Sequence, residues 1–212
     1  MSGLLLSLEG GEGAGKTTVL AALRERLVQR GFDVVSTREP GGTPAGEAIR
    51  ALLLDPAQVL VPQTELLLMF ASRAQLVSTV VEPALARGAV VLADRFTDAS
   101  FAYQGGGRGL PMALIAELER VFVRRKPDFT WLLDLDVAAG LARARGRGAP
   151  ADRIEQEREE FFESVRHAYR TRAAAEPHRF AVVDAGQDVE AVVADACAAL
   201  ERFLDRRAAA QC

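Results

Sequence analysis

The stretch Gly10-Gly11-Glu12-Gly13-Ala14-Gly15-Lys16-Thr17 decides the fold class of this 212-residue chain. It matches the pattern G-x-x-x-x-G-K-[ST], follows the apolar run Leu4–Leu8 and opens Thr17–Arg30, where apolar residues recur at helical spacing. A glycine-rich turn between a strand and a helix points backbone N–H groups at a phosphate, and the helix N-terminus adds partial positive charge. We therefore predict a nucleotide phosphate site formed by Gly10, Gly11, Glu12, Gly13, Ala14, Gly15, Lys16, Thr17 and Thr18.

Two side chains of this stretch are predicted to act on the phosphates directly. The chain has only two lysines, Lys16 and Lys126, among its 26 basic Lys and Arg residues. Lys supplies a compact point charge that fits among phosphate oxygens, which a planar guanidinium does not reproduce. We expect Lys16 to contact the β- and γ-phosphates of ATP and the Thr17 hydroxyl to bind Mg²⁺.

Strand-like and helical stretches alternate along the chain. Strands are predicted at Leu4–Leu8, Phe32–Ser36, Ala89–Ala93, Phe129–Leu135 and Phe180–Val183. Helices are predicted at Thr17–Arg30, Thr43–Leu54, Thr64–Arg87 with a kink or break at Pro83, Met112–Arg125, Val137–Arg145, Arg158–Ala175 and Val189–Leu204. Loops are predicted at Gly105–Gly109 and Arg145–Arg153, and a frayed tail at Asp205–Cys212. This alternation indicates an α/β fold with a mainly parallel sheet covered on both faces, in one domain over residues 1–212.

Composition narrows the class of protein. A net charge of -3 gives no electrostatic reason to bind a nucleic acid polymer or an anionic membrane. The N-terminal segment is expected to be a strand rather than a signal peptide. No apolar run approaches the ~20 residues that span a bilayer. The cytoplasm is therefore the expected location. Cys197 and Cys212 lack metal-ligand spacing. The chain contains no Asn, which excludes the Asn-Lys-x-Asp motif of guanine-reading GTPases, so a small kinase of nucleotides or metabolites fits best.

Three arginines are candidates for binding a second phosphate, that of the acceptor. Arg95 follows the predicted strand Ala89–Ala93, Arg38 follows the second predicted strand, and Arg73 lies in a predicted helix. Each guanidinium can offer two parallel donors to a phosphate. The carboxyl ends of parallel strands are where ligands bind in such sheets, which favours Arg95 over Arg73 on position alone.

Acidic residues also follow the strands. Asp94 could orient Mg²⁺ through water, or could pair with Lys16 or Arg95. Asp134 and Asp136 flank another predicted strand end and are alternatives for the same role. The sequence alone leaves these alternatives open.

Five segments in order along residues 9–155 resemble the bacterial thymidylate kinases. They are Glu9-Gly10-Gly11-Glu12-Gly13-Ala14-Gly15-Lys16-Thr17-Thr18, Thr37-Arg38-Glu39-Pro40-Gly41-Gly42-Thr43, Asp94-Arg95-Phe96, Ala102-Tyr103-Gln104-Gly105-Gly106-Gly107-Arg108-Gly109 and Asp152-Arg153-Ile154-Glu155. The resemblance implies transfer of the ATP γ-phosphate to dTMP with Mg²⁺. It also implies a three-layer P-loop NTPase fold with a five-stranded parallel sheet, and a homodimer.

The resemblance also implies roles for residues of the acceptor site. Glu12 is expected near the sugar and phosphate of dTMP, and Tyr103 along the deoxyribose, where it disfavours a 2′-hydroxyl. The thymine ring is expected to stack on Phe70, or on Met69 if the alignment shifts by one residue. The remaining acceptor-site residues are Arg73 and Arg95 at the phosphate, Ser100 and Gln104 at the thymine edge, and Arg38, Glu39 and Pro40 from the second segment. Phe96 stands where the family commonly has Tyr, which removes a hydroxyl.

A lid over ATP is expected at residues 143–153. Some thymidylate kinases carry a catalytic arginine in the phosphate loop, but this chain has Gly11, Glu12 and Ala14 at the corresponding positions. The resemblance is therefore to the class in which the lid supplies the cation, and an arginine delivered on closure stabilises the charge of phosphoryl transfer. The lid arginines are Arg143, Arg145, Arg147 and Arg153, of which Arg147 and Arg153 are favoured as catalytic beside Lys16 and Arg95.

Two other functions remain open from the sequence. One is another nucleoside monophosphate or small-metabolite kinase on the same scaffold. The other is a P-loop protein that binds nucleotide without phosphorylating anything. The intact set of Lys16, Thr17, Asp94 and lid arginines favours an enzyme over a binding protein.

Overall fold

The computed structural model describes residues 3–146, 148 and 150–209, and within them five strands form a parallel sheet. The strands are β1 (Leu4–Gly10), β2 (Val34–Arg38), β3 (Val90–Asp94), β4 (Phe129–Asp134) and β5 (Phe180–Asp184). Their order across the sheet is β2-β3-β1-β4-β5, and every pairing is parallel. The predicted α/β fold with a five-stranded parallel sheet is confirmed.

Helices cover both faces of this sheet. They are α1 (Lys16–Gln29), α2 (Pro44–Leu54), α3 (Pro62–Leu76), α4 (Glu82–Ala86), α5 (Thr97–Ser100), α6 (Met112–Leu118), α7 (Val137–Arg145), α8 (Glu159–Ala175) and α9 (Val189–Ala209). Three π-helical segments, Val77–Val81, Phe101–Gly107 and Glu119–Val123, follow α3, α5 and α6 without a break. The sequence pattern predicted the helices but not these wider turns.

The apolar strand residues divide between two core layers. Leu6 of β1 packs in the layer that contains Leu23 of α1 and Leu200 of α9. Its neighbour Leu5 packs in the opposite layer with Leu66 of α3. Successive side chains of a strand point to opposite faces, so a strand covered on both faces is mostly apolar. In β1 this holds for its four leucines, whereas buried Ser7 shares a hydrogen bond of 2.8 Å with the Thr130 hydroxyl of β4.

The helical region around Pro83 is continuous. Pro83 stands in the first turn of α4, directly after the π-helical segment Val77–Val81, where its missing N–H is tolerated. The whole stretch Pro62–Ala86 is the only helix in the described residues that is long and apolar enough to span a membrane, with a hydropathy of 1.2. Half of its apolar window is buried inside the protein.

Two expectations about flexible segments are wrong. Gly105–Gly107 ends the π-helical segment Phe101–Gly107 rather than forming a flexible loop. A Cβ at Gly106 would lie 2.6 Å from the Ala168 side chain and 2.8 Å from the Ser164 carbonyl, so these glycines allow close packing against α8. The tail expected to fray from Asp205 continues α9 as helix to Ala209.

Candidate active site

The carboxyl ends of the central strands open onto a cleft of about 580 Å³. This is the edge at which parallel α/β sheets bind ligands. Its lining comes from the loop after β1 (residues 12–18), the segment after β2 (38–40), the last turns of α2 (50, 53 and 54), α3 (65 and 69), the end of β3 (94 and 95), residues 99, 103 and 104, Arg143 of α7, and the turn 152–155. The cleft thus brings together segments from most of the chain.

The loop after β1 has the backbone geometry of a phosphate cradle. Gly15 caps α1 in the left-handed conformation with φ at 85°, and Gly13 has φ at 71° and lies so close to Gly140 that a Cβ would overlap its carbonyl. Lys16 is held over the loop, where its Nζ donates to the carbonyl oxygens of Gly10 at 3.1 Å and Gly11 at 2.9 Å. Burial, with the Arg95 charge, lowers the pKa of Lys16 to about 8. An anion in the cradle would favour the charged form.

Arg95 faces this loop from the end of β3. Its Nη2 donates to Glu12 Oε1 at 2.9 Å and its Nη1 donates to the Tyr169 hydroxyl at 3.1 Å. The guanidinium lies 4.8 Å from the centre of the Tyr103 ring, and the Tyr103 hydroxyl donates to the same oxygen of Glu12 at 3.1 Å. A cation fixed by several partners is preorganised to bind a phosphate without further ordering cost.

The backbone turn at Arg95 is held by Glu9, a role the sequence analysis missed. Arg95 has φ at 69°, a conformation that residues other than glycine rarely adopt. Glu9 is fully buried and accepts from the Phe96 N–H at 2.7 Å and from the Tyr169 hydroxyl at 2.7 Å. Burial, reinforced by the Asp98 charge, raises the pKa of Glu9 to about 8. A single acid at the end of an apolar strand was the available signal for it.

Asp94 is the acid best suited to a metal ion. Its Oδ1 is buried without a hydrogen-bond partner in the part of the chain that the structure describes. The two alternatives have partners, because Asp134 accepts from Arg166 at 2.7 Å and Asp136 caps α7. Asp94 and Thr17 both line the cleft, and carboxylate and hydroxyl oxygens are ligands that Mg²⁺ accepts. The residues present therefore fit a magnesium ion.

Three residues expected at the acceptor lie behind the cleft wall. Arg73 is fully buried, and its donors bind Glu39 at 2.6 Å, Ser100 Oγ at 3.0 Å and the Phe96 carbonyl at 3.2 Å. Phe70 packs under this guanidinium at 4.7 Å from ring centre to Cζ, in the apolar core. The structure therefore does not bring Arg73, Ser100 or Phe70 into the wall.

Met69 lines the cleft where Phe70 does not. Helical residues one position apart point about 100° away from each other, and here the Phe70 ring turns into the apolar core under Arg73. Tyr103 and Gln104 also line the cleft, and both come from the π-helical segment Phe101–Gly107. This part of the cleft wall is therefore built from α3 and this π-helical segment.

Arg50 is a cation of the cleft that the sequence analysis missed. It donates to the Pro40 carbonyl at 3.0 Å, whereas Arg38 is half-exposed and donates to Glu47 at 2.9 Å. Burial, with the Arg38 charge, lowers the pKa of Arg50. The helical spacing of Arg50 with Leu53 and Leu54 places all three on the cleft side of α2.

The turn at residues 152–155 presents Arg153 to the cleft. Asp152 Oδ1 accepts from the Glu155 N–H at 2.8 Å, and Glu155 Oε2 accepts from the Asp152 N–H at 3.2 Å, a reciprocal pair like a helix capping box. Between them, Arg153 donates to Glu65 Oε2 at 2.7 Å and to the Leu53 carbonyl at 2.7 Å. Arg153 is therefore bound to α3 and to the last turn of α2 in this structure.

The other lid arginines occupy different environments. Arg143 lines the cleft and donates to the Ala185 carbonyl at 2.9 Å. Arg145 is exposed at the end of α7. Arg147, one of the two favoured catalytic arginines of the lid, lies outside the described residues.

Comparison with known proteins identifies the family. The sequence model described as Thymidylate kinase matches residues 8–196. The chain belongs to the thymidylate kinase family. The thymidylate kinase of Pseudomonas putida strain F1 is 56% identical over 209 residues, which cover 97% of this chain and 99% of that protein. The thymidylate kinase of Chromohalobacter salexigens is 55% identical over 205 residues, covering 95% and 97%.

A solved structure agrees with this assignment. The crystal structure of thymidylate kinase from Ehrlichia chaffeensis superposes on this chain with a TM-score of 0.77 at 31% identity, covering 95% of this chain and 99% of that one. The P-loop NTPase fold expected from the five segments is thus confirmed for this thymidylate kinase family member. The family assignment made from residues 9–155 is also confirmed.

Proposed function

We propose that this chain transfers the γ-phosphate of ATP to dTMP, giving dTDP and ADP. Membership of the thymidylate kinase family over residues 8–196 is the observation that carries the proposal. The cleft supports it, because Lys16 and the amides of the phosphate loop form an anion site on β1, and Arg95 forms another on β3. A kinase of a nucleoside monophosphate needs two such sites close together.

The residues of the cleft act mainly by positioning and by charge. The loop amides and Lys16 bind the β- and γ-phosphates, and Arg95 binds the acceptor phosphate. Glu12 holds the guanidinium of Arg95 in place, so that little ordering is left to the moment of reaction. Mg²⁺, when bound by Thr17 and Asp94, neutralises charge on the phosphate oxygens.

The acceptor base occupies the wall between α3 and the π-helical segment. We assign stacking to Met69, and contact with the thymine edge to Gln104, because both line the cleft. Tyr103 lies along the deoxyribose. Buried Arg73 supports the site from behind by fixing Glu39 and Ser100, and the phosphate contact falls to Arg95.

Residues 143–153 act as a lid whose arginines complete the donor site. The phosphate loop has no arginine of its own, so a cation must arrive from elsewhere. Arg153 and Arg147 remain the assigned lid cations. The hydrogen bonds of Arg153 to Glu65 and Leu53 define a position from which it exchanges partners when ATP binds.

The working form is proposed to be a cytoplasmic homodimer of one-domain subunits. Exposed apolar side chains on α3 and along the helical stretch from α6 to Val123 support a second copy as partner, namely Leu67, Met112, Leu114 and Phe122. Cys197 is a free thiol, as is usual in a reducing compartment.

A coupled assay of ADP release tests the reaction. The purified protein is given ATP, Mg²⁺ and one acceptor at a time from dTMP, dUMP, CMP, AMP and GMP. We expect turnover with dTMP and its loss in Lys16→Ala. Fast turnover with AMP and none with dTMP would assign the chain to another nucleoside monophosphate kinase, and ATP binding without any turnover would assign it to a binding protein.

A further inference from the structure

Gln104 lies in the cleft wall with its two amide atoms in different environments. Its Nε2 donates to Glu65 Oε1 at 2.9 Å. Its Oε1 is buried and has no hydrogen-bond partner among residues 3–146, 148 and 150–209. A buried acceptor without a partner is costly, which indicates that a ligand satisfies it.

Glu65 decides which way this amide points. An ionised carboxylate can only accept hydrogen bonds, so it binds the NH₂ group of Gln104 and turns the carbonyl oxygen away. If the amide were reversed, two acceptor oxygens would face each other without a proton between them. The orientation of Gln104 is therefore a consequence of the charge on Glu65.

The surroundings of Glu65 keep it ionised. Its side chain is 1% exposed and accepts from Arg108 Nη2 at 3.0 Å and from Arg153 Nη2 at 2.7 Å. Burial alone raises the pKa of this carboxyl, but hydrogen bonds from Arg108, Gln104 and Arg153 outweigh burial and hold the pKa below its ordinary value. The group is therefore an ionised acceptor at neutral pH.

We propose that Glu65 is a positioning residue for base selection, which sets the Gln104 amide so that Oε1 accepts the N3–H of a thymine or uracil ring. This inference rests on the proposed function. Thymine and uracil carry a proton on N3, whereas N3 of cytosine is an acceptor and would oppose Oε1. Glu65 thus excludes cytidine nucleotides without touching them, and it does not distinguish dTMP from dUMP.

A purely structural role for Glu65 is the competing explanation, because the same carboxylate also holds two arginines. Glu157 offers a matched control. It accepts from Arg108 Nη1 at 2.6 Å, and no hydrogen bond joins it to Gln104 in the described residues. Glu157→Gln therefore weakens the arginine cluster and leaves the amide orientation unchanged.

The test compares kcat/KM for dTMP and dCMP in the full-length protein. In Glu65→Gln the new amide can donate to Gln104 Oε1, which turns the Gln104 NH₂ group toward the base. We expect kcat/KM for dTMP to fall roughly 10- to 100-fold and the dCMP to dTMP ratio to rise by at least about tenfold. In Glu157→Gln the ratio is expected to stay at the wild-type value.

A reciprocal exchange provides the rescue. Glu65→Gln combined with Gln104→Glu restores an acceptor facing the base and leaves the summed charge of the pair unchanged, so the wild-type ratio should return. The exchange also decides the matter if Glu65→Gln alone does not fold. The inference is overturned if Glu65→Gln lowers dTMP turnover with the ratio unchanged, or if the folded exchange variant fails to restore the ratio. Wild-type protein without dTMP turnover would instead overturn the proposed function, and this inference with it.

Discussion

The backbone conformation of Arg95 affects the stability of the protein, whereas its guanidinium affects activity, and two substitutions can separate these effects. Its φ is 69°, its N–H donates to the Leu8 carbonyl at 3.0 Å, and the next amide, that of Phe96, is held by Glu9 at 2.7 Å. The left-handed conformation costs a residue with a Cβ about 1–2 kcal/mol. Arg95→Gly removes this cost, whereas Arg95→Ala keeps it.

The two variants delete the same guanidinium contacts, those to Glu12 and Tyr169. The difference between their free energies of unfolding therefore measures the effect of the backbone conformation alone. Glycine has more freedom in the unfolded chain, which offsets about 0.4–1 kcal/mol of the relief. We expect Arg95→Gly to be the more stable of the two by about 1 kcal/mol. Both variants should lose roughly 10²- to 10³-fold in kcat/KM for dTMP, since neither can bind the acceptor phosphate.

Urea unfolding measures the first quantity, and the ADP-release assay measures the second. Arg124 supplies a control, because it is the other non-glycine residue with positive φ in the described chain, at 57°, and does not line the cleft. Arg124→Gly should exceed Arg124→Ala in stability by a similar amount, with dTMP turnover unchanged in both. The reasoning fails if Arg95→Gly is no more stable than Arg95→Ala while the Arg124 pair shows the difference.

Three further predictions concern acids. Asp94→Asn should raise the Mg²⁺ concentration for half-maximal ADP release at least about tenfold, and an unchanged midpoint would remove Asp94 from the metal site. Between pH about 4.5 and 8 the native state keeps a proton on Glu9 that the unfolded chain has lost, so wild type loses stability as pH rises through this window. The urea concentration at the unfolding midpoint should fall less between pH 6 and pH 8 in Glu9→Gln than in wild type. Equal falls in the two proteins would contradict the raised pKa. Asp98→Asn should destabilise by about 3–5 kcal/mol in urea unfolding, because it leaves Arg172 and Arg179 without their buried partner; a loss below about 1 kcal/mol would show that water reaches them.

The parts of the site that the sequence predicted are those set by local rules. Lys16 and Thr17 follow β1, and Asp94 and Arg95 end β3, so strand and loop patterns alone place them at the same edge. Tyr103 was placed by resemblance in a segment expected to end in a flexible loop. It lies in the cleft because that segment is helical and packed.

The parts that the sequence did not predict depend on contacts between distant residues. Tyr169 binds Glu9 across 160 residues, and Glu65 binds Gln104 across 39. No periodicity links such pairs, because each partner lies on its own helix or strand and only the fold brings them together. A buried acid in an otherwise apolar segment is the one sequence feature that Glu9 and Glu65 share.

The distance between the two proposed phosphate sites follows from the sheet. The loop with Glu12 and Lys16 extends β1, Arg95 extends β3, and these strands are neighbours with Leu8 opposite Asp94. Neighbouring strands lie about 4.8 Å apart, a spacing that backbone hydrogen bonds hold rigidly. Glu12 and Arg95 join the two strand extensions by a hydrogen bond of 2.9 Å, a direct link between the two proposed sites. In-line transfer requires two phosphates at fixed separation, and we expect the sheet rather than a mobile segment to supply that separation here. The proposed lid is then left with two tasks, which are to exclude water and to add positive charge.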